Sequence, residues 1–334
     1  MDKDKDNVPA GAIEDSDTQQ AMPSAVDISD NAQTANKLQS VNLAAIDIGS
    51  NAARILIKRV EKLDDGLHSQ KLQFLRIPIR LGMDVFSKGM ISDKREKMLV
   101  RTMKIFRQLM ILYNVDDYRI CATSAFRDAG NSKKILRYVK NHTKLAIDII
   151  SGTEEARIIR DNYPSQGNAL YMDVGGGSTE LSLVCDGELT DMRSFDIGTI
   201  RLLNEQITPD HWNEMITEVQ KMTENVKDIH IIGSGGNINK LYKLVPKRAK
   251  KKNEITLETL TRLYTQLSSL TIEERMIQYE LSDSRADVIV PAAQLFIMVA
   301  GITQSKSITV PNVGLTDGII NEMAKAMFKY IVVR

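Results

Sequence analysis

The sequence predicts an α/β protein of two duplicated domains facing each other across a cleft, and three observations carry that expectation. One pattern is written twice, 126 residues apart. Ala45-Ile46-Asp47-Ile48-Gly49-Ser50-Asn51 leads into Arg54-Ile55-Leu56-Ile57, and Tyr171-Met172-Asp173-Val174-Gly175-Gly176-Gly177-Ser178-Thr179-Glu180 leads into Leu181-Ser182-Leu183-Val184. In each, an apolar strand reaches an Asp, one apolar residue follows, and a turn of small residues opens a second strand. Strand and helix patterns alternate through both halves, which predicts a largely parallel sheet in each. At 334 residues, 43% hydrophobic and 26% charged, the chain is long enough for two cores of ordinary size.

The elements follow in order. Strand patterns fall at 43–48, 53–60 and 71–79. A helix is expected from Ser92 to Tyr113, where Met98, Met103, Ile105, Phe106, Leu109, Met110 and Leu112 mark an apolar face. A short strand (Tyr118 to Cys121), a helix (Asn131 to His142) and a strand (Leu145 to Ile150) come next. Ser151, with Glu154 three residues on, reads as a capping box for a helix to about Asp161. Tyr163-Pro164-Ser165-Gln166-Gly167-Asn168 is the expected crossing between halves. Strands near 169–174, 180–185 and 189–196 then repeat the opening, and a strand at Ile229 to Ile232 breaks into Gly233-Ser234-Gly235-Gly236-Asn237. Three further helical patterns lead to Ser307-Ile308-Thr309-Val310 and a last helix from about Leu315 to Tyr330.

Composition narrows the function. A net charge of +1 argues against a general nucleic-acid or membrane binder. Residues 1–40 hold eight acidic residues against three lysines with no apolar stretch, the composition of a disordered tail and not of a signal peptide. The longest apolar run, Val288 to Ile302, contains Pro291 and Gln294 and is short for a bilayer span. Cys121 and Cys185 are the only cysteines, so a disulfide framework or thiolate metal site is not expected, and a cytoplasmic location is.

The chemistry is written at the hairpin tips. Consecutive glycines at 175–177 remove every Cβ that would hold the backbone off a ligand, and Ser178 and Thr179 add hydroxyls. A glycine run also serves as a plain flexible turn. Its place after Asp173 and between two strands favours a phosphate site. Asp47 and Asp173, at equivalent positions of the repeats, suit a hard cation such as Mg²⁺, although Asp also caps turns on its own. Gly233, Ser234, Gly235 and Gly236 form a second glycine loop before a helix, either an anion site or a structural turn. Glu154 and Glu155 begin a helix at the crossing, where one serves as a cap and the other can act as a base on water. Arg127, after Ala122-Thr123-Ser124-Ala125-Phe126, can reach a phosphate as a fork. Pro246 to Lys252 holds five cations in seven residues, either a solvated loop or a guide for a polyanion.

Taken together, AAIDIGSN, ATSAFRDAGN, ISGTEEARII, MDVGGGSTEL, DIGTIRL, IIGSGGN and SRADVIVPAA resemble the exopolyphosphatase and guanosine pentaphosphate phosphohydrolase (Ppx/GppA) family, and they span nearly the whole chain after the tail. The resemblance implies duplicated actin-like (ribonuclease H-like) domains with the active site in the inter-domain cleft. Residues 41–163 would form the first domain, 164–313 the second, and the helix from about 314 to 334 would return to the first. It further implies Mg²⁺-dependent hydrolysis, with Glu155 as base and Glu180 placing water or metal beside Asp173. Asp47 is the second metal candidate. Gly49, Ser50, Asn51, Arg54, Arg127 and Arg285 would contact phosphates, together with the residues of the two glycine loops.

Two departures bear on substrate. Ala52 and Ala53 stand where the family commonly has Ser-Phe, which would remove a hydroxyl and an aromatic wall beside the first phosphate loop. The helical HD-type domain of long members has no counterpart before Arg334, so short chains are the expected substrate. Inorganic polyphosphate is favoured because no guanosine pocket is obvious, with guanosine pentaphosphate close behind. An actin-fold kinase or ATPase, or an alarmone-binding regulator, is the alternative class. A homodimer is compatible with the family, and no membrane or nucleic-acid partner is expected.

Overall fold

The computed structural model describes residues 40–246 and 251–331. Residues 1–39 of the expected tail, and 247–250 of the basic run, lie outside the described residues. The first repeat forms β1 (Ser40–Ile48) and β2 (Ala53–Leu63), continued by β3 (Gly66–Ile77). β1 is apolar without alternation because both of its faces are covered. Ala44, Ile46 and Ile48 join one core cluster, and Leu43 and Ala45 join another. After β3 come α1 (Leu81–Lys88) and α2 (Asp93–Leu112), the latter capped by Ser92, whose hydroxyl accepts from the Arg95 amide. β4 (Asp117–Ala122), α3 (Ser124–Asp128), α4 (Ser132–Thr143), β5 (Asp148–Ile149) and α5 (Gly152–Asn162) complete the first half.

The second half opens on β6 (Ala169–Val174), β7 (Thr179–Cys185) and β8 (Glu188–Phe195), followed by α6 (Thr199–Leu203) and α7 (Pro209–Thr223). β9 (His230–Ser234) runs directly into α8 (Gly235–Leu244). Then follow β10 (Glu254–Thr256), α9 (Leu257–Ser268), α10 (Ile272–Gln278), α11 (Asp283–Ala286), α12 (Ile289–Ile302), β11 (Ser307–Thr309) and α13 (Leu315–Ile331).

The sheet orders, β3-β2-β1-β4-β5 and β10-β11-β9-β6-β7-β8, expose the duplication. Counted within each repeat, both read 3-2-1-4-5, with β10 added at one edge of the second. The sheets are mixed, which corrects the expectation of largely parallel ones. β1–β4–β5 and β6–β9–β11 are parallel, while both opening hairpins and β10–β11 are antiparallel. A strand followed by a tight turn can only fold back on itself, whereas a parallel neighbour needs a crossover of a dozen or more residues.

Two features hold the tips of β1 and β6 in place. α13 packs on α5, β1 and β2, burying Leu315, Ile319, Ile320, Ala324 and Phe328 against Leu43, Leu56 and Ile158. α12 is the centre of the second core, with Ala292, Ala293, Leu295, Phe296, Val299 and Ala300 fully buried. Asp283–Ile302 is long and apolar enough to cross a membrane, yet its residues lie largely within this core.

Candidate active site

The two tips close with the same hydrogen bond. The Gly49 amide donates to Ala52 O at 3.0 Å, and the Gly175 amide donates to Ser178 O at 2.9 Å. Asp47 and Asp173 thus stand two residues before equivalent turns, at the ends of the inner strands. Gly235 has φ +87° and lies against Asp173, so a Cβ there would collide with Asp173 Oδ1. Only glycine meets both demands. A cavity of about 380 Å³ lies over these tips.

Its acidic side is crowded with buried carboxylates. Ser151 caps α5, its hydroxyl accepting from the Glu154 amide at 3.0 Å. Glu154 then turns outward to Arg119 at 2.8 Å, and Glu155 faces the cavity. Glu155 Oε2 is buried without a hydrogen-bond partner, its nearest cation being Arg127 Nη1 at 3.5 Å. Glu180 is paired across the ladder with Asp173. Its Oε1 accepts from Ser178 Oγ at 2.6 Å and from Ser194 Oγ at 3.2 Å. Burial, with the charges of Glu180, Asp173 and Asp47 added, pushes the Glu155 carboxyl well above its ordinary range. Burial likewise pushes Glu180 up to about 7 and Asp173 up to about 6. Asp47 is also raised by burial, against the opposing pull of Arg54 at 2.5 Å.

Among the described residues no three His, Cys, Asp or Glu side chains converge into a ready ligand cage. The donor set nevertheless fits a hard divalent cation of the Mg²⁺ type. Such ions are held by one or two carboxylates, with waters and substrate oxygens completing the shell. The Glu155 oxygen left without a hydrogen bond and the mutual repulsion of the buried carboxylates are what a cation relieves. Asp173 is the freer candidate, since Asp47 is already paired to Arg54.

The opposite side of the cavity is cationic. Arg54 and Arg76 are cross-strand neighbours on β2 and β3, and Arg285 Nη1 donates to Gly236 O at 2.5 Å. Burial and mutual repulsion lower Arg76 to about 10 and Arg285 to about 9. Lys71, Lys240 and Lys243 continue this wall. Arg76 and these lysines were not singled out from the sequence. The spacing of Lys240 and Lys243, three apart on a helix behind a glycine loop, was the available signal.

Asp47, Gly49, Ser50, Asn51, Arg54, Glu155, Asp173, Gly175, Gly176, Ser178, Gly235, Gly236 and Arg285 all line the cavity. Others expected at the site stand off its wall. Gly233 belongs to β9 and packs against Ile238, Ile308 and Phe296, off the cavity lining. Ser234 is buried at the end of the same strand, away from the lining. The Thr179 hydroxyl donates to Ile197 O at 2.6 Å, a structural bond. Gly177 is enclosed by Phe86 and Ser124. Arg127 donates to Ile150 O at 3.0 Å and to Ser178 Oγ at 3.3 Å, and lies 3.7 Å from Glu180, so it serves the carboxylate layer behind the cavity. Glu180 sits in that layer too. Ala52 and Ala53 are fully buried and line no part of the cavity, so their small side chains alter the core beneath the first tip and not its open wall.

A duplicated strand order, a glycine turn beside the cavity, and buried carboxylates facing an arginine wall are features suited to a phosphoryl ligand. The model of the Ppx/GppA phosphatase family matches residues 59–327, and the chain belongs to that family. Exopolyphosphatase 1 of Mycobacterium leprae is 26% identical over 276 residues, 76% of this chain and 80% of that protein. The bifunctional 3-dehydroquinate synthase/phosphatase of Fusobacterium nucleatum is 30% identical over 200 residues, 56% of this chain and 30% of that protein. A guanosine-5'-triphosphate,3'-diphosphate pyrophosphatase of Aeromonas salmonicida is 23% identical over 293 residues, 83% of this chain and 58% of that protein. The chain thus spans under a third of the Fusobacterium relative and a little over half of the Aeromonas one. Among solved structures, an exopolyphosphatase from Cytophaga hutchinsonii superposes with a TM-score of 0.76 at 24% identity, covering 85% of this chain and 98% of that one. The Aquifex aeolicus Ppx/GppA family member gives 0.68 at 24% identity, covering 86% and 99%. These two likenesses show the fold.

Proposed function

We propose that the protein is a Mg²⁺-dependent phosphoanhydride hydrolase that releases terminal orthophosphate from inorganic polyphosphate. The observation that carries this reading is Glu155, a buried carboxylate lining a cavity between a glycine turn and an arginine wall, whose Oε2 accepts no hydrogen bond. Anhydride hydrolysis has a loose transition state, so positioning and charge neutralisation do most of the work. The Gly175–Ser178 turn and the Gly49–Asn51 turn present backbone amides to the terminal phosphoryl group. Glu155, its proton affinity raised by burial, takes the proton from the attacking water and fixes its line of approach. Arg54, Arg76 and Arg285 hold the phosphates behind the reacting one, and Lys71, Lys240 and Lys243 extend the track outward. Asp173, with Asp47 beside it, would hold the cation, which supplies charge neutralisation to the phosphoryl oxygens.

The domain limits follow the same reading: 41–163 with the helix from 314 as one domain, and 164–313 as the other. The packing of α13 on β1, β2 and α5 supports this division.

One observation favours a second reading, conversion of guanosine pentaphosphate to the tetraphosphate. Phe74 on β3 is 48% exposed and lines the same cavity with Lys71 and Arg76, which gives a base a surface to stack on. Relatives of both names support each reading. Phosphate release from short polyphosphate, guanosine pentaphosphate and ATP, measured side by side with Mg²⁺, separates them. Polyphosphate is expected to be fastest, and a preference for ATP would overturn the proposal.

A further inference from the structure

We infer that Arg201, from the DIGTIRL segment, is a positioning residue that aims the Ser178 amide of the phosphate-binding glycine turn. The inference rests on the proposal above that this turn binds the reacting phosphoryl group. All three carbonyls of Gly175, Gly176 and Gly177 are bonded to α6. The Thr199 amide donates to Gly175 O at 3.0 Å, the Ile200 amide to Gly176 O at 2.7 Å, and Arg201 Nε to Gly177 O at 2.7 Å. In a trans peptide unit the carbonyl and the following N–H point in opposite directions. The amides of Gly176, Gly177 and Ser178 are therefore turned away from α6, and no protein acceptor among the described residues takes them. Main-chain donors fix the first two peptide planes. The third, which aims the Ser178 amide, depends on one side chain.

That side chain is itself held on three sides. Arg201 Nη2 pairs with Asp128 and lies 3.4 Å from Asp196, and its guanidinium sits 4.2 Å over the Phe86 ring. Asp128 is the last residue of α3 and follows Arg127, which reaches Ser178 and the Glu155–Glu180 pair. Arg201 thus joins the second half's phosphate turn to the first half's helix that carries Arg127. A lysine offers one point charge and cannot donate to Gly177, pair with Asp128 and stack on Phe86 together. Gly198 lets α6 come this close, because a Cβ there would meet the Gly176 and Gly177 backbone at 2.5 Å.

Arg201→Met keeps an unbranched apolar side chain and removes the donors, Arg201→Lys keeps the charge, and Asp128→Asn loosens the guanidinium from outside the turn. For each, kcat and KM for orthophosphate release from short polyphosphate, orthophosphate affinity by calorimetry and the thermal midpoint are to be measured against wild type. Losing an aimed amide in a preorganised site is expected to lower kcat on the order of 100-fold in Arg201→Met. KM should change little, lysine should fail to restore the rate, and Asp128→Asn should show a smaller fall in the same direction. Midpoints should stay close to wild type. A kcat for Arg201→Met near wild type overturns the inference, as does a fall in kcat that only follows a fall in midpoint across the three variants. A wild type that neither releases nor binds orthophosphate refutes the underlying reading and this inference with it. A wild type that does both while Arg201→Met matches it refutes the inference alone.

Discussion

The two hairpin tips share a backbone and differ in charge. Both close through a glycine amide, and both place an Asp two residues earlier. At the same rung of the ladder, Asp47 faces Arg54 and Asp173 faces Glu180. The first pair is a salt bridge at 2.5 Å, neutral as built. The second sets carboxylate against carboxylate in a buried site, where burial raises both and the Asp173 charge adds to the rise of Glu180. On the proposed reading the two equivalent tips are both cradles for phosphate, and the residue at the facing position divides their labour. The first tip, with Arg76 and Arg285 nearby, suits the substrate's charge. The second, with two raised carboxyls, favours a cation or a proton, and the proposed function puts the chemistry there.

The strongest way to break this comparison is to neutralise each aspartate in turn. Asp173→Asn is expected to lower kcat by on the order of 100-fold or more, since it removes the charge that a catalytic cation answers. Asp47→Asn should act mainly through KM, because it frees Arg54 while removing only the smallest of the three carboxylate charges that raise Glu155. Steady-state kinetics on short polyphosphate checks both, and equal losses in kcat would erase the distinction between the tips.

The next effect is on stability. Asp173 and Glu180 titrate near 6 and 7 in the fold, against ordinary values of 3.8 and 4.5. Between about pH 4 and 7 the folded state therefore binds more protons than the unfolded chain, and stability falls as pH rises through that window. Each carboxyl accounts for on the order of 3 kcal/mol. Metal-free protein should melt at a higher temperature at pH 5 than at pH 8, and Mg²⁺ should restore more of the midpoint at pH 8. A midpoint insensitive to pH would contradict the frustrated second tip.

The smallest effect concerns the first tip's surroundings. Phe74→Ala is expected to raise KM for guanosine pentaphosphate several-fold, about 1 kcal/mol of stacking, and to leave polyphosphate hydrolysis near wild type. An equal change for both substrates would remove Phe74 as a base platform.

Much of this was legible in the chain because it is local. The two Asp-x-Gly tips, the Ser151 cap and the apolar strands flanking the second tip depend on neighbours within a few residues. The sequence places the start of β3 near residue 71 because Gly66 to Gln70 is an exposed edge with no apolar alternation to mark it. α1 was missed for a similar reason: it follows the left-handed Arg80 with no side-chain cap to announce it. Sheet sense failed because alternating strands and helices do not say which strands the hairpins pair. The roles that needed register were the hardest. Arg76 meets Arg54 only after an irregularity between Ile57 and Lys58 shifts the β2–β3 pairing. Gly233 resembles Gly235 and Gly236 in sequence, yet the strand ends after it, and it faces the core.

The central claim is that the acidic tip works with Glu155 as a water base, and one pair of measurements meets it directly. Orthophosphate release from short polyphosphate and binding of the same polyphosphate are to be compared between wild type and Glu155→Gln in Mg²⁺. The account predicts a fall in turnover on the order of 1,000-fold with binding retained. Turnover near wild type in Glu155→Gln would contradict it.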